Sequence, residues 1–351
     1  SDVTAFLKYT KDVHFLDDGE AIVMKKTGLT LYDLKSEKEK VIHFQHLDWE
    51  SQDAEKGGYP HFLLKEIMEQ KVTIPKTALI NQKEMQKIAQ KIQKEKSKIV
   101  FTGCGTASYC ALAAKYYFAQ IGLGSEVYGA YEFLPFSQFL DSKTVVFAIS
   151  QSGETADTLI AAKKAKARGA YLVAVVNARG STLERLADVV LSVGAGPEIA
   201  VISTKSFTAQ LATLYLVSRM IVDKDKEAAS EIKKLGMALE KWLDEKLLNK
   251  IITLAKQITD EEDMYVVGKH LNFPGALEFG LKIKESSYIH AESFAAGELK
   301  HGVITLIGKN TPCFVLGAND ETKLELMSSA AELKARGGKI IGIAPYFSEE
   351  F

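Results

Sequence analysis

Charge of one sign is what this 351-residue sequence lacks most: 44 Lys and Arg stand against 45 Asp and Glu, for a net charge of -1. Proteins that grip nucleic acid through its phosphates need a basic excess, so no nucleic-acid partner is expected. Long apolar runs are missing as well. None reaches the roughly 20 residues of a membrane-spanning helix, and no membrane partner is expected. The opening SDVTAFLKYTKDV lacks the charged-then-apolar layout of an export signal. Cysteine is scarce: Cys104, Cys110 and Cys313 are too few and too scattered for a disulfide framework or a zinc knuckle. These absences together point to a reduced, cytoplasmic protein. Neither end reads as a natural one, since no initiator Met is present and GIAPYFSEEF follows directly on a strand-like run.

What is present is a chain that is 46% apolar, enough for the cores of two or three domains. Residues 1 to 45 read as short strands and turns, with an Asp-Gly turn inside VHFLDDGEAIVM. A polar connector, residues 46 to 80, leads into a helix expected to close at Pro75. From about residue 83 strands and helices alternate, as in βα units around parallel sheets. An internal repeat organises this part. KIVFTGCG matches DMYVVGKH, TVVFAISQSGET matches TPCFVLGANDET, and KARGAYLVAVVN matches KARGGKIIGIAP, at offsets of 165, 167 and 168 residues. Three matches in order and in register imply two related α/β domains. We place them at 81 to 225 and 251 to 351, with a helical connector at 226 to 250. The first copy continues after AVVN into the strand-like DVVLSVG and the helix KSFTAQLATLYLVSRMIV, whereas the second stops almost at once. The second sheet is therefore expected to be incomplete.

The chemistry concentrates in four stretches. ISQSGET follows a buried-strand run and precedes a helix, an arrangement that aims backbone N–H groups and a helix dipole at an anion. Ser150, Ser152 and Thr155 add hydroxyls there, and Gln151 reaches a further oxygen. Each of these serines could equally serve as a plain helix cap. The second copy reads LGANDET at the same place, without either serine, which argues for one phosphate site per chain. TGCGTAS is a second Gly-rich strand-to-helix turn whose amides can converge on the same anion. It has no acidic residue placed for dinucleotide binding, and Cys104 within it reads as a small buried thiol. GPEIAVISTKSFTAQ carries Ser203 and Thr204 before a helix; one of the two hydroxyls is expected to cap it and the other to be free for a ligand. The fourth stretch, GALEFGLKIKESSYIHAESFAAGELKHG, is read as polar groups along a helix. Lys282 and Glu285 share a face there, followed by His290, Glu292, Glu298, Lys300 and His301. A surface ion pair is the ordinary meaning of Lys282 and Glu285; the crowding of ionisable groups among Ala and Gly is the reason to consider a tuned site. The histidines lack metal-ligand spacing, so no metal is expected. His14, His43, His46, His61 and His270 lie in no motif.

GCGTA, SQSGETADTL, EIAVISTKSFT, ALEFGLKIKESSYIHAESFAAGELKHG and the connector EKGGYPHFLLKEIMEQ resemble the glutamine:fructose-6-phosphate aminotransferases, or glucosamine-6-phosphate synthases, over essentially the whole chain. The resemblance implies an α/β fold of two flavodoxin-like sugar-isomerase (SIS) domains, preceded by the β-rich end of a glutaminase domain. It implies conversion of fructose 6-phosphate and ammonia to glucosamine 6-phosphate without metal or organic cofactor. By motif, Gly105, Thr106, Ser150, Gln151, Ser152 and Thr155 would hold the phosphate, with Val201 and Ser203 near the sugar. Glu285 would shuttle the proton between C1 and C2, Lys282 would assist, and His301 would open the ring from the partner subunit of a homodimer. Two features of the family have no counterpart in this sequence: the glutaminase nucleophile and the Schiff-base lysine of the tail. Many relatives carry Ser after CGT where this chain has Ala107. Two other readings use the same residues: a plain sugar-phosphate isomerase or deglycase, and a sugar-phosphate-sensing SIS binding module.

Overall fold

The computed structural model describes residues 9–46 and 55–346, so the beginning of the connector lies outside the described residues. Near the N-terminus come the short strands β1 (Asp12–Val13), β2 (Glu20–Lys25), β3 (Gly28–Asp33), β4 (Lys38–Lys40) and β5 (Gln45–His46). β1 pairs antiparallel with β5, and β2 to β4 form an antiparallel meander. This piece rests on the loop around Gly180. The Phe15 ring and Gln45 occupy the space a side chain at Gly180 would need, and Asp17 pairs with Arg185 at 2.9 Å.

The connector helix α1 (Phe62–Lys76) corrects an expectation: Pro75 lies inside it and does not close it. A proline ring there removes one hydrogen bond, to the Lys71 carbonyl. The chain turns only after Thr77, whose hydroxyl donates to the Ile74 carbonyl at 2.7 Å. The Pro75 ring is packed directly against Gly236, a position with no room for a Cβ.

The first α/β unit runs through α2 (Gln82–Glu95), β6 (Lys98–Gly103), α3 (Thr106–Ala119), β7 (Glu126–Gly129), α4 (Phe133–Phe136), β8 (Thr144–Ser150), α5 (Ala156–Ala167), β9 (Tyr171–Val176), α6 (Thr182–Leu186), β10 (Val189–Ser192) and α7 (Lys205–Ile221). Its sheet is parallel throughout, in the order β10-β9-β8-β6-β7. Every residue of β8 is buried, as a strand covered on both faces must be. Val145, Phe147 and Ile149 join the core beneath α2, α3 and α7, and Val146 and Ala148 join the core on the other face. Phe101, Phe118 and Phe147 form an aromatic knot in the first of these, with ring centroids 4.9–6.0 Å apart.

The second unit follows α8 (Asp225–Trp242) and α9 (Glu245–Lys256). It contains β11 (Asp263–Gly268), α10 (Asn272–Ser287), β12 (His290–Ala295), β13 (Pro312–Leu316), α11 (Lys323–Ala335) and β14 (Lys339–Ile343). Its strands lie parallel in the order β12-β11-β13-β14, the order of β7-β6-β8-β9. The three repeated words of the sequence fall on equivalent strands, and no counterpart of β10 is found among the described residues. α8 belongs with the first unit, where Ala228 and Ile232 enter its core. α9 buries no residue and leaves Leu248, Ile251 and Ile252 exposed. The stretch read as one polar helix is instead α10, strand β12 and a 3-10 segment, Ala296–His301, so His290 and Glu292 stand on a strand. The left-handed Tyr288 after α10 (φ 61°) makes that break.

Candidate active site

In the first sheet the strand order reverses between β6 and β8, and in sheets of this kind a ligand crevice forms at the carboxyl ends of the two strands. Two helices start there. α3 begins behind Gly105 and α5 behind Thr155, and neither N-cap side chain bonds a first-turn amide. Two helix N-termini therefore stand at adjacent strand ends, an arrangement suited to an anion; in α3 the Ala107 and Ser108 amides already donate to the Cys104 and Gly105 carbonyls at 3.1 and 2.9 Å. Gly105 has φ +54° and ψ -128°, a backbone that only glycine adopts readily, while the space around it is open. Gly103 is glycine for a different reason: a Cβ there would press on Ala107 and on the Ile149 carbonyl, each at 3.0 Å. Ala107 is thus buried under the turn.

The hydroxyls of the SQSGET loop divide their work. Ser150 is 2% exposed, and its Oγ accepts from the Gly153 amide at 2.9 Å and contacts Thr155 Oγ1 at 3.2 Å. It pins the loop from beneath. Ser152 and Gln151 are half-buried; Ser152 Oγ accepts from the Glu154 amide at 3.1 Å. Gly153 (φ +67°) is packed against Ser181, and the Gln151 carbonyl receives the amides of Asn177 and Ala178. The equivalent turn of the second unit is filled from within. Asp320, at the position of Gly153, accepts from the Thr322 amide at 2.9 Å and from its hydroxyl at 2.6 Å. Those hydrogen bonds hold the Asp320 carboxyl below its ordinary range. A carboxylate of the chain itself sits where the first copy leaves amides open.

The capping expected of Ser203 and Thr204 is a correction. Glu198 caps α7 instead, accepting from the amides of Thr204 at 2.8 Å and Ser206 at 3.2 Å. Ser203 donates to that carboxylate at 3.2 Å and meets Ser206 Oγ at 2.7 Å, so its hydroxyl is engaged. The Thr204 hydroxyl is buried without a partner. A carboxylate outcompetes a hydroxyl here because it accepts two amides at once. Val201 stands fully exposed on the same loop. Glu66 of α1 fixes the loop from behind, accepting the amides of Ile199 at 2.7 Å and Ala200 at 3.1 Å. Burial raises the Glu66 carboxyl even so.

α10 crosses from the second unit to this crevice. It sits close on β12 because Gly280 leaves room for Ser293, whose hydroxyl donates to the Ala276 carbonyl at 2.7 Å. Lys282 Nζ lies 2.5 Å from Glu285 Oε2, 3.3 Å from Glu278 Oε1 and 3.0 Å from Thr106 Oγ1 of the first unit. The structure thus brings Lys282, Glu285 and the Gly105–Thr106 turn together. Glu278 was not singled out from the sequence. It is 6% exposed, and burial pushes its carboxyl up to about 7 against the pull of Lys282 and the Thr106 hydroxyl. A signal was available: Glu278, Lys282 and Glu285 occupy positions i, i+4 and i+7 on one helix face. His301 is exposed at the end of the 3-10 segment, and among the described residues no hydrogen bond or ion pair joins it to Lys282 or Glu285. Cys104 is half-buried and not fully enclosed; burial raises its thiol, which keeps it protonated and weakly nucleophilic at neutral pH. Among the described residues no helix is long and apolar enough to cross a membrane, and no group of three His, Cys, Asp or Glu is placed to hold a metal ion.

Comparison with known proteins bears on this arrangement. The SIS domain family matches residues 91–219 and 257–345. The glutamine–fructose-6-phosphate aminotransferase [isomerizing] of Pyrococcus horikoshii is 39% identical over 98% of this chain and 58% of its own length. The protein of the same name from Thermus thermophilus is 37% identical over 100% of this chain and 60% of its own. The chain spans about three-fifths of the length of these curated relatives. Among solved structures, the C-terminal domain of glucosamine-fructose-6-phosphate aminotransferase from Francisella tularensis superposes with a TM-score of 0.74 at 33% identity, covering 83% of this chain and 85% of that one. Tagatose-6-phosphate ketose/aldose isomerase from Escherichia coli shares the fold, with a TM-score of 0.69 at 15% identity and 83% of each chain covered.

Proposed function

The chain belongs to the SIS-domain family and, within it, to the glutamine–fructose-6-phosphate aminotransferases, and on that premise we propose that it carries the sugar-converting half of that reaction. Fructose 6-phosphate would seat its phosphate at the N-termini of α3 and α5, with Gln151, Ser152, Thr155 and the Gly105–Thr106 turn around it and Val201 and Ser203 towards the sugar. Ser150 would act by holding that loop in shape.

His301 of the partner subunit would open the ring, since imidazole is the side chain suited to proton transfer near neutrality. Ammonia adds to the C2 carbonyl and water leaves, giving the imine. Glu285 then takes a proton from C1 and returns it to C2, while the C1 hydroxyl gives up its proton and the imine nitrogen gains one, so the 2-amino aldose forms with no net gain or loss of protons. A single carboxylate suffices for both transfers, and no metal or organic cofactor enters. Lys282 would place positive charge beside the oxygen on C1 while the proton is in transit. The observation that carries this reading is the position of Lys282, between Glu285 and the Thr106 hydroxyl of the anion-binding turn. Residues 1 to 45 would be the end of a glutaminase domain, 46 to 80 the connector to it, and 81 to 225 and 251 to 351 the two SIS domains. A cytoplasmic homodimer completes the proposal.

The test is a product assay on the full-length protein with fructose 6-phosphate and ammonium salts. Glucosamine 6-phosphate is expected. Glucose 6-phosphate alone would mean a plain isomerase, and tight binding without either product would mean a sensing module.

A further inference from the structure

Asn177 follows directly on β9, is 4% exposed, and has no part in the chemistry proposed for Lys282, Glu285 and His301. We propose that Asn177 is a positioning residue for sugar binding, fixing the 194–203 loop at a set distance from the SQSGET loop. This role rests on the preceding reading, which puts the phosphate at one of these loops and the sugar at the other.

The backbone and the side chain of Asn177 serve different loops. Its amide and that of Ala178 donate to the Gln151 carbonyl at 3.2 and 3.0 Å, which ties it to the SQSGET loop. The side chain reaches the other way. Oδ1 accepts from the Ala195 amide at 3.0 Å, and Nδ2 donates to the Gly196 carbonyl at 2.8 Å. A backbone N–H only donates and a carbonyl only accepts, so these two partners fix which way the carboxamide faces. Together they extend the sheet past its end. β10 stops at Ser192, the Val193 amide still bonds the Val176 carbonyl at 2.9 Å, and the chain then turns away at Gly194 (φ +64°) and Gly196 (φ +74°). From there the carboxamide supplies the donor and acceptor that the neighbouring strand no longer can.

Two carboxylates hold the rest of the loop: Glu66 takes the amides of Ile199 and Ala200, and Glu198 those of Thr204 and Ser206. Of these three anchors, Asn177 is the one bonded to the SQSGET loop as well, so it sets the interval between the two. A sugar phosphate must bridge that interval, and small misplacements of a bound substrate cost large factors in rate. The internal repeat separates this task from strand formation. The second unit has Pro345 at the matching position of KARGGKIIGIAP, with neither an amide N–H nor a polar side chain, and β14 forms all the same. The asparagine stands in the unit that carries the anion-binding turn.

The experiment uses the full-length protein and two ligands, fructose 6-phosphate and inorganic phosphate, each titrated by 31P NMR. Asn177→Asp keeps the shape and the acceptor for Ala195 but sets an oxygen against the Gly196 carbonyl; Asn177→Ala removes both bonds. Neither touches the backbone bond to Gln151. Both variants should bind fructose 6-phosphate about tenfold more weakly or worse, because the loop spends less time in its binding position. Both should hold inorganic phosphate within about twofold of the parent, since it has no sugar to reach that loop. With ammonium present, kcat/KM for glucosamine 6-phosphate should fall at least as far as the sugar affinity. If Asn177→Ala unfolds at much lower urea than the parent, Asn177→Asp decides by the same criteria. Equal loss of both ligands would reduce Asn177 to a fold-holding residue and overturns the proposal, as does unchanged fructose 6-phosphate binding and turnover while the parent is active. A parent that binds inorganic phosphate but neither binds nor converts fructose 6-phosphate overturns the proposed reaction and this role together.

Discussion

Gly153→Ala places two separate costs on the loop that follows β8, and the structure lets each be sized. The backbone there has φ +67°, a conformation worth about 1–2 kcal/mol against an L side chain. The new Cβ would also lie 2.5 Å from the Cβ of Ser181 and closer still to its hydroxyl, with Val176 at 3.5 Å behind. A Cβ cannot rotate away, so the loop or the start of α6 must shift, at about 1–3 kcal/mol. The sum, roughly 2–5 kcal/mol, is a large part of an ordinary domain's stability. Urea unfolding of Gly153→Ala, Ser181→Gly and the double variant separates the two terms. Ser181→Gly alone should cost only a few tenths of a kcal/mol, because glycine is a tolerated N-cap and the Ser181 cap to Glu184 is long at 3.4 Å. The double variant should recover the steric part, a coupling of about 1–3 kcal/mol, and keep the backbone part. Calorimetry should show weakened fructose 6-phosphate binding by the single variant and partial return in the double. Additive costs, or a Gly153→Ala protein as stable as the parent, would refute the reasoning.

Ser150→Ala should destabilise by about 1–3 kcal/mol, because the buried Gly153 amide loses its acceptor, whereas Ser152→Ala should stay within about 0.5 kcal/mol and act on phosphate affinity; paired denaturation and calorimetry distinguish the two. Glu278 makes stability fall as pH rises. Its carboxyl is near 7 in the fold and an ordinary 4.5 when unfolded, so between those values the native state holds a proton the unfolded state has released. The stabilisation is complete below the lower value and is lost by the upper one, on the order of 3 kcal/mol, and Glu278→Gln should remove that slope from urea midpoints measured across the range. For the shared site, full-length His301→Ala and Glu285→Gln chains, each inactive, should regain about a quarter of parent activity when refolded together as random dimers; no recovery would place both residues in one chain's site.

The domain repeat was legible because strand and helix patterns recur at nearly constant offsets, and the strand order then follows from parallel βα connections. The burial of Ser150 was not read, because a serine before a glycine turn attracts a ligand or cap reading, whereas it closes a strand buried along its whole length. The cap of α7 was not read either. Glu198 reaches it from six residues before Thr204 through a loop whose shape is set by Glu66 on another helix, and no local pattern reports such a contact. Pro75 misled because the rule against proline in helices weakens in the last turn, where the glycine of α8 receives its ring. Glu278 lay in plain view on the face of Lys282 and Glu285. What the sequence withholds is its burial against Thr106, a residue 172 positions away.

The central claim, that Glu285 moves the proton at a site whose phosphate is held by the first unit, is tested most directly in deuterated water. Full-length Glu285→Gln and its parent are given fructose 6-phosphate and ammonium, sugar binding is measured by calorimetry, and deuterium incorporation at C1 and C2 is followed by NMR. An amide keeps the shape and hydrogen bonds of the carboxylate but cannot take a proton. The account predicts affinity within about twofold of the parent and loss of both exchange and glucosamine 6-phosphate formation. Exchange and turnover at near-parent rates in Glu285→Gln would contradict it.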